Sequence, residues 1–273
     1  MRLALAALAW TLVAAAPAAA APARHVVETA VSGTVEAAFS YDYADYRFTH
    51  PHLTISRGGA VLADKDLKPL TRYGEVDPAR YPQQSVAIRN LDSGPEPEVV
   101  LDLYWGGAHC CWYTQVYRYA SATGSYSAST HVWGNVDYRS ADLDGDGLPE
   151  FVSADDRFAY EFTSFAGSGF PIRIWDYREG RFSDVTRRFP ARIRGDARRQ
   201  WHWASLKQSR SDNAGLLAAW AADECLVHHY RSAFRQLEVL RREHRLGLGW
   251  DRSARAYLRH LRRFLRRTGY LGK

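Results

Sequence analysis

Two segments of the chain align without a gap. Residues 90–100 read NLDSGPEPEVV and residues 142–152 read DLDGDGLPEFV, at an offset of 52 residues. Five positions are identical: Leu91/Leu143, Asp92/Asp144, Pro97/Pro149, Glu98/Glu150 and Val100/Val152. Each segment is an acidic, turn-rich stretch that runs directly into apolar and β-branched residues. A loop–strand unit repeated at this period implies sheet units that cannot bury an apolar face alone and must stack on one another.

The surrounding sequence fits that requirement. From His25 to about Val185, short β-branched and aromatic runs alternate with turn signals. His25–Val31 and Thr34–Tyr41 flank Ser32-Gly33, and Leu53–Ser56 and Val61–Leu62 flank Arg57-Gly58-Gly59. Further strands are predicted at 86–89, 99–104, 112–119, 126–133, 151–154, 158–162, 172–177 and 182–185. Residues 63–84 read as a long loop. No helical period separates the runs, so the strands are expected to be antiparallel.

After Thr186 the period becomes helical. A helix is predicted within 192–209, another carries Leu216, Leu217, Trp220 and Val227, and a third carries Phe234, Leu237, Leu240 and His244 with Gly247 as its stop. Ala254, Tyr257, Leu258, Leu261, Phe264 and Leu265 form the stripe of a last helix, with Asp251 as its expected N-cap. The expected fold is mainly β with a helical C-terminal part (α+β). It comprises an antiparallel β module of two to three blade-like repeat sheets, short of a complete propeller, plus a small helical bundle. The expected division is a signal peptide over 1–20, the β module over 21–186 and a basic helical region over 187–273.

Charge follows the same boundary. Residues 22–186 carry a formal charge of −9 and residues 187–273 carry +14, within a chain of +6. Either the two parts attract each other, or the helices present a basic surface to an anionic partner. At the N-terminus, Met1-Arg2 precedes the apolar run Leu3–Ala16, then Pro17 and Ala18-Ala19-Ala20. This is the pattern of a secretory signal with cleavage after Ala20. The mature chain is therefore expected to be secreted or extracytoplasmic, with no transmembrane segment after cleavage.

The second repeat carries chemistry. Asp142, Asp144 and Asp146 alternate at positions 1, 3 and 5, Gly147 stands at the turn and Glu150 at position 9. Alternating hard oxygen donors around a glycine turn can wrap calcium, with a backbone carbonyl from Leu148. An EF-hand would need Glu at position 12, where Ser153 stands, and the loop enters a strand instead of a helix. In the first copy Asn90, Asp92 and Glu98 remain but Gly94 takes position 5, so the turn is expected without strong calcium binding.

The unit DLDGDGLPEFV resembles the calcium loops of FG-GAP/VCBS-type repeats, found in integrin-like β-propellers and secreted bacterial proteins. The resemblance covers about residues 86–185. It implies that Asp142, Asp144, Asp146 and Glu150 hold the ion with the Leu148 carbonyl. Members often carry Asp at position 9, so Glu150 is a departure, and the helical third has no counterpart in the family.

No catalytic constellation stands out: GxSxG, HExxH and phosphate-binding glycine loops are absent from the sequence. The leading expectation is a calcium-stabilised binding or structural protein. Its partner would be cell-wall glycan or another extracellular polymer, and no nucleic acid is expected; Trp105, Trp112 and Tyr113 are expected first as core residues, with a ligand platform as the alternative. The alternative is an extracellular, glycan-directed hydrolase with its site in the β module.

Cys110 and Cys111 are adjacent in the glycine-rich turn WGGAHCCW, and Cys225 is the third cysteine. In an oxidising compartment the adjacent pair is expected to close on itself; a bond to Cys225 or three free thiols are the alternatives. Peptide mapping without reductant checks this. A single peptide containing a closed Cys110–Cys111 pair is expected, and a crosslink to Cys225 would reassign the bond.

Overall fold

The computed structural model describes residues 22–72, 74–206 and 213–272, and the expected signal segment lies outside them. The first sheet is an antiparallel meander of β1 (Arg24–Ser32), β2 (Val35–Ala44), β3 (Arg47–Arg57) and β4 (Ala60–Asp66). Its second and third hairpins turn through two residues that both have positive φ, Asp45-Tyr46 and Gly58-Gly59. Such turns match the right-handed twist of the strands they join.

The second sheet contains β5 (Asp77–Pro78), β6 (Val86–Arg89), β7 (Glu98–Tyr104), β8 (Trp112–Ala120) and β9 (Ser125–Gly134). β5 and β6 share one edge of β7, and β8 and β9 follow on the other side. The third sheet runs β10 (Arg139–Ala141), β11 (Glu150–Ala154), β12 (Ile172–Arg178) and β13 (Arg181–Asp184) in sequence order. Four helices follow: α1 (Pro190–Leu206), α2 (Ala214–Leu226), α3 (Tyr230–Arg242) and α4 (Ala254–Arg267).

The layers are held by three apolar clusters. Val99, Leu101 and Leu103 of β7 join Phe39, Leu53 and Ile55 of the first sheet. Val100 of the same strand joins Phe151 and Tyr177 of the third sheet. Ile172 and Ile174, in β12 beside Tyr177, pack instead with Ile193, Leu217, Leu237 and Leu261 of the helices. The arrangement is therefore three stacked antiparallel sheets with helices covering the last. Among the described residues no propeller or barrel closes, and the mainly β, α+β expectation holds.

The repeat is visible in strand pairing. Arg89 pairs with Glu98 across the first acidic loop, and Ala141 pairs with Glu150 across the second, at the same offset. Three local expectations need correction. Residues 158–162 form no strand: the Asp155 carboxylate accepts the Arg157 N–H at 3.1 Å and starts a 3-10 turn. That turn sends Phe158 and Phe162 into the helical core. The third helix stops at Arg242, well before Gly247, because His244 takes the left-handed conformation (φ 57°) and Arg245 N–H returns to Leu240 O. Ser253, and not Asp251, caps α4, accepting the Ala256 N–H at 3.2 Å. Asp251 instead engages His260. The short edge strand β10 was outside the predicted runs, and the expected 63–84 loop is trimmed by β4, which runs to Asp66, and by β5.

In α4, Tyr257, Leu258, Leu261, Phe264 and Leu265 are buried, while Arg255, Arg259, Arg262, Arg263 and Arg266 face outward. Leu261→Ala should therefore destabilise by about 2–5 kcal/mol through cavity formation. Arg263→Gln, on the opposite face of the same helix, should stay within about 0.5 kcal/mol. Urea denaturation of both variants checks the helix orientation.

Candidate metal centre

The second acidic loop joins β10 to β11, and its conformation is set by its own carboxylates. Asp142 accepts N–H bonds from Gly145 (2.7 Å) and Gly147 (3.0 Å). Asp144 accepts the Asp146 N–H at 3.4 Å, and Asp146 accepts the Leu148 N–H at 2.8 Å. Gly145 and Gly147 both have positive φ, at 81° and 83°, which only glycine adopts without strain. These turns draw the three aspartates together: one oxygen from each lies within 4.8 Å of the others, all at the surface.

Glu150 stands apart from that trio and differs in kind. It is fully buried at the first residue of β11. Its Oε2 accepts the Leu143 N–H at 2.8 Å and so closes the loop, while its Oε1 has no hydrogen-bond partner. Burial, with Asp144 and Asp146 adding like charge, pushes its pKa above the ordinary carboxylate value. An unsatisfied buried carboxylate oxygen within electrostatic reach of Asp144 and Asp146, below a surface cluster of three aspartates, suits a cation. The donors are all hard oxygens, the type that calcium takes. Leu148 sits half-buried just after the turn.

The sequence reading missed the guanidinium groups. Arg178 of β12 pairs with Asp146 at 3.2 Å and lies 3.9 Å from the free Glu150 oxygen. Arg188 pairs with Asp144 at 2.7 Å and with Asp176 at 3.3 Å. An available signal was that a loop of four carboxylates requires neutralisation, and both arginines stand near the end of the third sheet.

The first copy has the same skeleton with a different filling. Glu98 Oε2 accepts the Leu91 N–H at 2.9 Å, and Asp92 accepts the Gly94 N–H at 2.6 Å. Arg118 of β8 then bonds Asp92 at 2.8 Å and lies 3.8 Å from Glu98. Asp92 and Glu98 are both buried, whereas Asn90 is exposed. Arg178 also donates to the Leu91 carbonyl at 3.0 Å, so one guanidinium ties the two loops together.

The other expected residues are dispersed. The Cys110 and Cys111 sulfurs lie against each other in the β7–β8 turn, and Cys225 is buried in α2 among the helical core. Tyr113 is buried between the first two sheets and cannot serve as a surface platform. Trp105 packs on that same core and Trp112 on the next. A cavity of about 410 Å³ opens beside His131 and Trp175, with Asp155, Asp184 and Arg173 in its wall. Its Asp155 is bonded by Arg157, Arg173 and the Tyr270 hydroxyl, and its Asp184 by Arg173 and Thr186. Burial lowers the His131 pKa to about 4, so that ring is neutral at pH 7.

No family model matches this chain, and no solved structure matches it. It is 30% identical over 203 residues to a probable thylakoid lumen protein of Synechocystis sp., covering 71% of this chain and 57% of that protein. It is 28% identical over 243 residues to an uncharacterized protein of Sinorhizobium fredii, covering 82% of this chain and 37% of that protein. The chain spans about half the length of the curated relatives it matches.

The first copy yields a pH prediction. Burial, before any charge effect, raises the Glu98 pKa from 4.5 to about 7. The folded state thus holds this proton more tightly than the unfolded state. The resulting stabilisation is full below pH 4.5 and is lost as pH rises through about 7. Relative to Glu98→Gln, the natural protein should lose stability across that window, by on the order of 3 kcal/mol, and then level off. Paired denaturation curves from pH 4 to 8 measure the difference, in which the other titrating groups cancel; a flat difference would exclude a raised Glu98.

Proposed function

We propose that this chain is an extracytoplasmic binding or structural module whose third sheet is locked by calcium in a loop of the FG-GAP/VCBS type. The observation that carries the reading is the cluster of Asp142, Asp144 and Asp146, with the buried, unpartnered Glu150 Oε1 within electrostatic reach of Asp144 and Asp146. These four residues, with the Leu148 carbonyl, would hold the ion. Its contribution is charge neutralisation: it replaces the pairings to Arg178 and Arg188 and fixes the exit of the loop into β11.

The extracytoplasmic location is supported by two features. One is the signal-like segment Met1–Ala20. The other is the name of the cyanobacterial relative, a probable thylakoid lumen protein. Among the described residues no helix is long and apolar enough to cross a membrane. A closed Cys110–Cys111 pair belongs to the same reading, since export exposes the thiols to oxidants.

Calcium that binds only the folded state stabilises it by about 2.7 kcal/mol at a hundredfold excess over Kd. Calcium should therefore raise the melting temperature, chelator should lower it, and calorimetry should register one ion per chain. Asp144→Ala should abolish the response. Asp92→Ala should cost stability by unpairing Arg118, yet keep the calcium response. A melting temperature indifferent to both calcium and chelator, with no heat of binding, would leave the loop as a solvated turn braced by arginines.

A further inference from the structure

The basic charge of the C-terminal third is only partly used inside the molecule. Arg267 and His260 of α4 meet Glu161 at 3.0 Å each, and Arg188 meets Asp144 and Asp176. These contacts account for the attraction between the helices and the acidic sheets. The outward face of the α3–α4 pair takes no part in them.

There a groove of about 390 Å³ runs between the two helices. Arg231, Arg235 and Arg242 of α3 line it from one side and Arg262 of α4 from the other. All four are exposed. Among the described residues no carboxylate lies within ion-pair distance of any of them. Glu238, the acidic residue in the lining, is paired with Arg241 at 2.8 Å. α4 has no Asp or Glu over its whole length. The groove floor is apolar: Phe234 lies beneath, with Arg262 stacked over its ring at 4.6 Å, and Val239 and Tyr230 are exposed along it.

We propose that this groove and the arginine face around it dock the protein on an anionic phospholipid surface. Charge complementarity selects an anionic partner, and guanidinium groups bind phosphate oxygens through paired N–H donors. The apolar floor selects among anionic partners. A wholly hydrophilic polyanion would engage the arginines but leave Val239 and Tyr230 in water. A lipid surface offers phosphate to the rim and the upper acyl region to the floor. The mode is peripheral, because the apolar stripe of α4 is already buried in the protein core and only the face opposite remains for the membrane.

The test is vesicle flotation with the full mature chain in chelator, which separates it from the calcium reading. Phosphatidylcholine vesicles containing about 30% phosphatidylglycerol should bind the protein at low salt and release it near 0.5 M salt, and pure phosphatidylcholine should not bind it. Arg231→Gln/Arg235→Gln should weaken the apparent Kd by about 25-fold. Arg194→Gln/Arg198→Gln removes the same charge from the exposed side of α1 and should change it less than about twofold. Val239→Ser should weaken vesicle binding while leaving the affinity for soluble polyphosphate unchanged. Absence of binding to the anionic vesicles would overturn the proposal. Equal losses in the two double variants would reduce the effect to net charge and overturn the assignment to the groove. Vesicle binding indifferent to Val239→Ser and fully displaced by polyphosphate would show that a hydrophilic polyanion is the partner, and would overturn the lipid assignment.

Discussion

β7, inside the second sheet, has no side to give to water, and the rest of the molecule is arranged around that strand. β7 is buried through all but its last residue, with Val99, Leu101 and Leu103 on one side and Val100 on the other. A strand buried on both faces, one apolar and the other carrying Val100 between the buried Glu98 and Asp102, needs a layer above and a layer below. The first and third sheets are those layers. Each of them has a second face, and the two solve the remaining problem differently. The first sheet alternates buried and exposed residues along β2 and ends the stack. The third sheet keeps Ile172 and Ile174 apolar on its far side, and the helices cover them.

Stacking at this spacing needs loops that leave each sheet in a fixed direction. Both acidic loops meet that need with one device, a buried glutamate at the start of the following strand that accepts the N–H of a leucine seven residues earlier. The leucine is thereby held at the loop base; Leu91 is fully buried in the core between the second and third sheets. The cost is a buried carboxylate in each loop, each approached from outside the loop by a guanidinium that stays beyond hydrogen-bond distance, Arg118 at 3.8 Å in one case and Arg178 at 3.9 Å in the other. Arg178 also bonds the first loop's Leu91 carbonyl, so the two repeats are joined at one end of the stack.

Much of this was legible because it is local. The repeat positions Leu91/Leu143 and Glu98/Glu150 are the two ends of the clamp, and they were visible as identities before any contact was known. Strands β6, β7, β8 and β12 follow from runs of β-branched and aromatic residues bounded by turn formers. What escaped depends on partners remote in sequence. Phe158 and Phe162 have the composition of a strand, but a single Asp155 carboxylate makes a turn of the segment and the helices claim both rings. Ser253 displaced Asp251 as the cap because Asp251 has a better use with His260. Gly247 lost its role to His244, since a helix can end wherever one residue accepts positive φ. The arginines at the second acidic loop were invisible for the same reason: Arg188 is 44 residues from Asp144 and reaches it only because the chain doubles back along the third sheet.

Those arginines also set the charge balance of the second loop. Asp144 and Asp146 each already have a guanidinium partner, yet both pairs are partly exposed. Exposed ion pairs of this kind contribute about 0–1 kcal/mol, because water and salt screen them and the long side chains lose rotamer freedom. Neither arginine reaches the buried Glu150 Oε1 within hydrogen-bond distance, since Arg178 stops at 3.9 Å. The guanidinium groups thus neutralise the loop's rim and leave its buried oxygen unsatisfied. The first loop holds its aspartate differently. There Asp92 is itself buried and takes N–H bonds from Gly94 and Glu179 as well as Arg118, while Gly94 removes the third carboxylate. Arg118 nevertheless stops 3.8 Å from the buried Glu98, much as Arg178 does from Glu150, and burial still raises the Glu98 pKa to about 7. The two loops therefore differ in carboxylate count at their exposed end: Asp142 and Asp146 stand where the first copy has Asn90 and Gly94, and the second loop concentrates more negative charge around its buried glutamate.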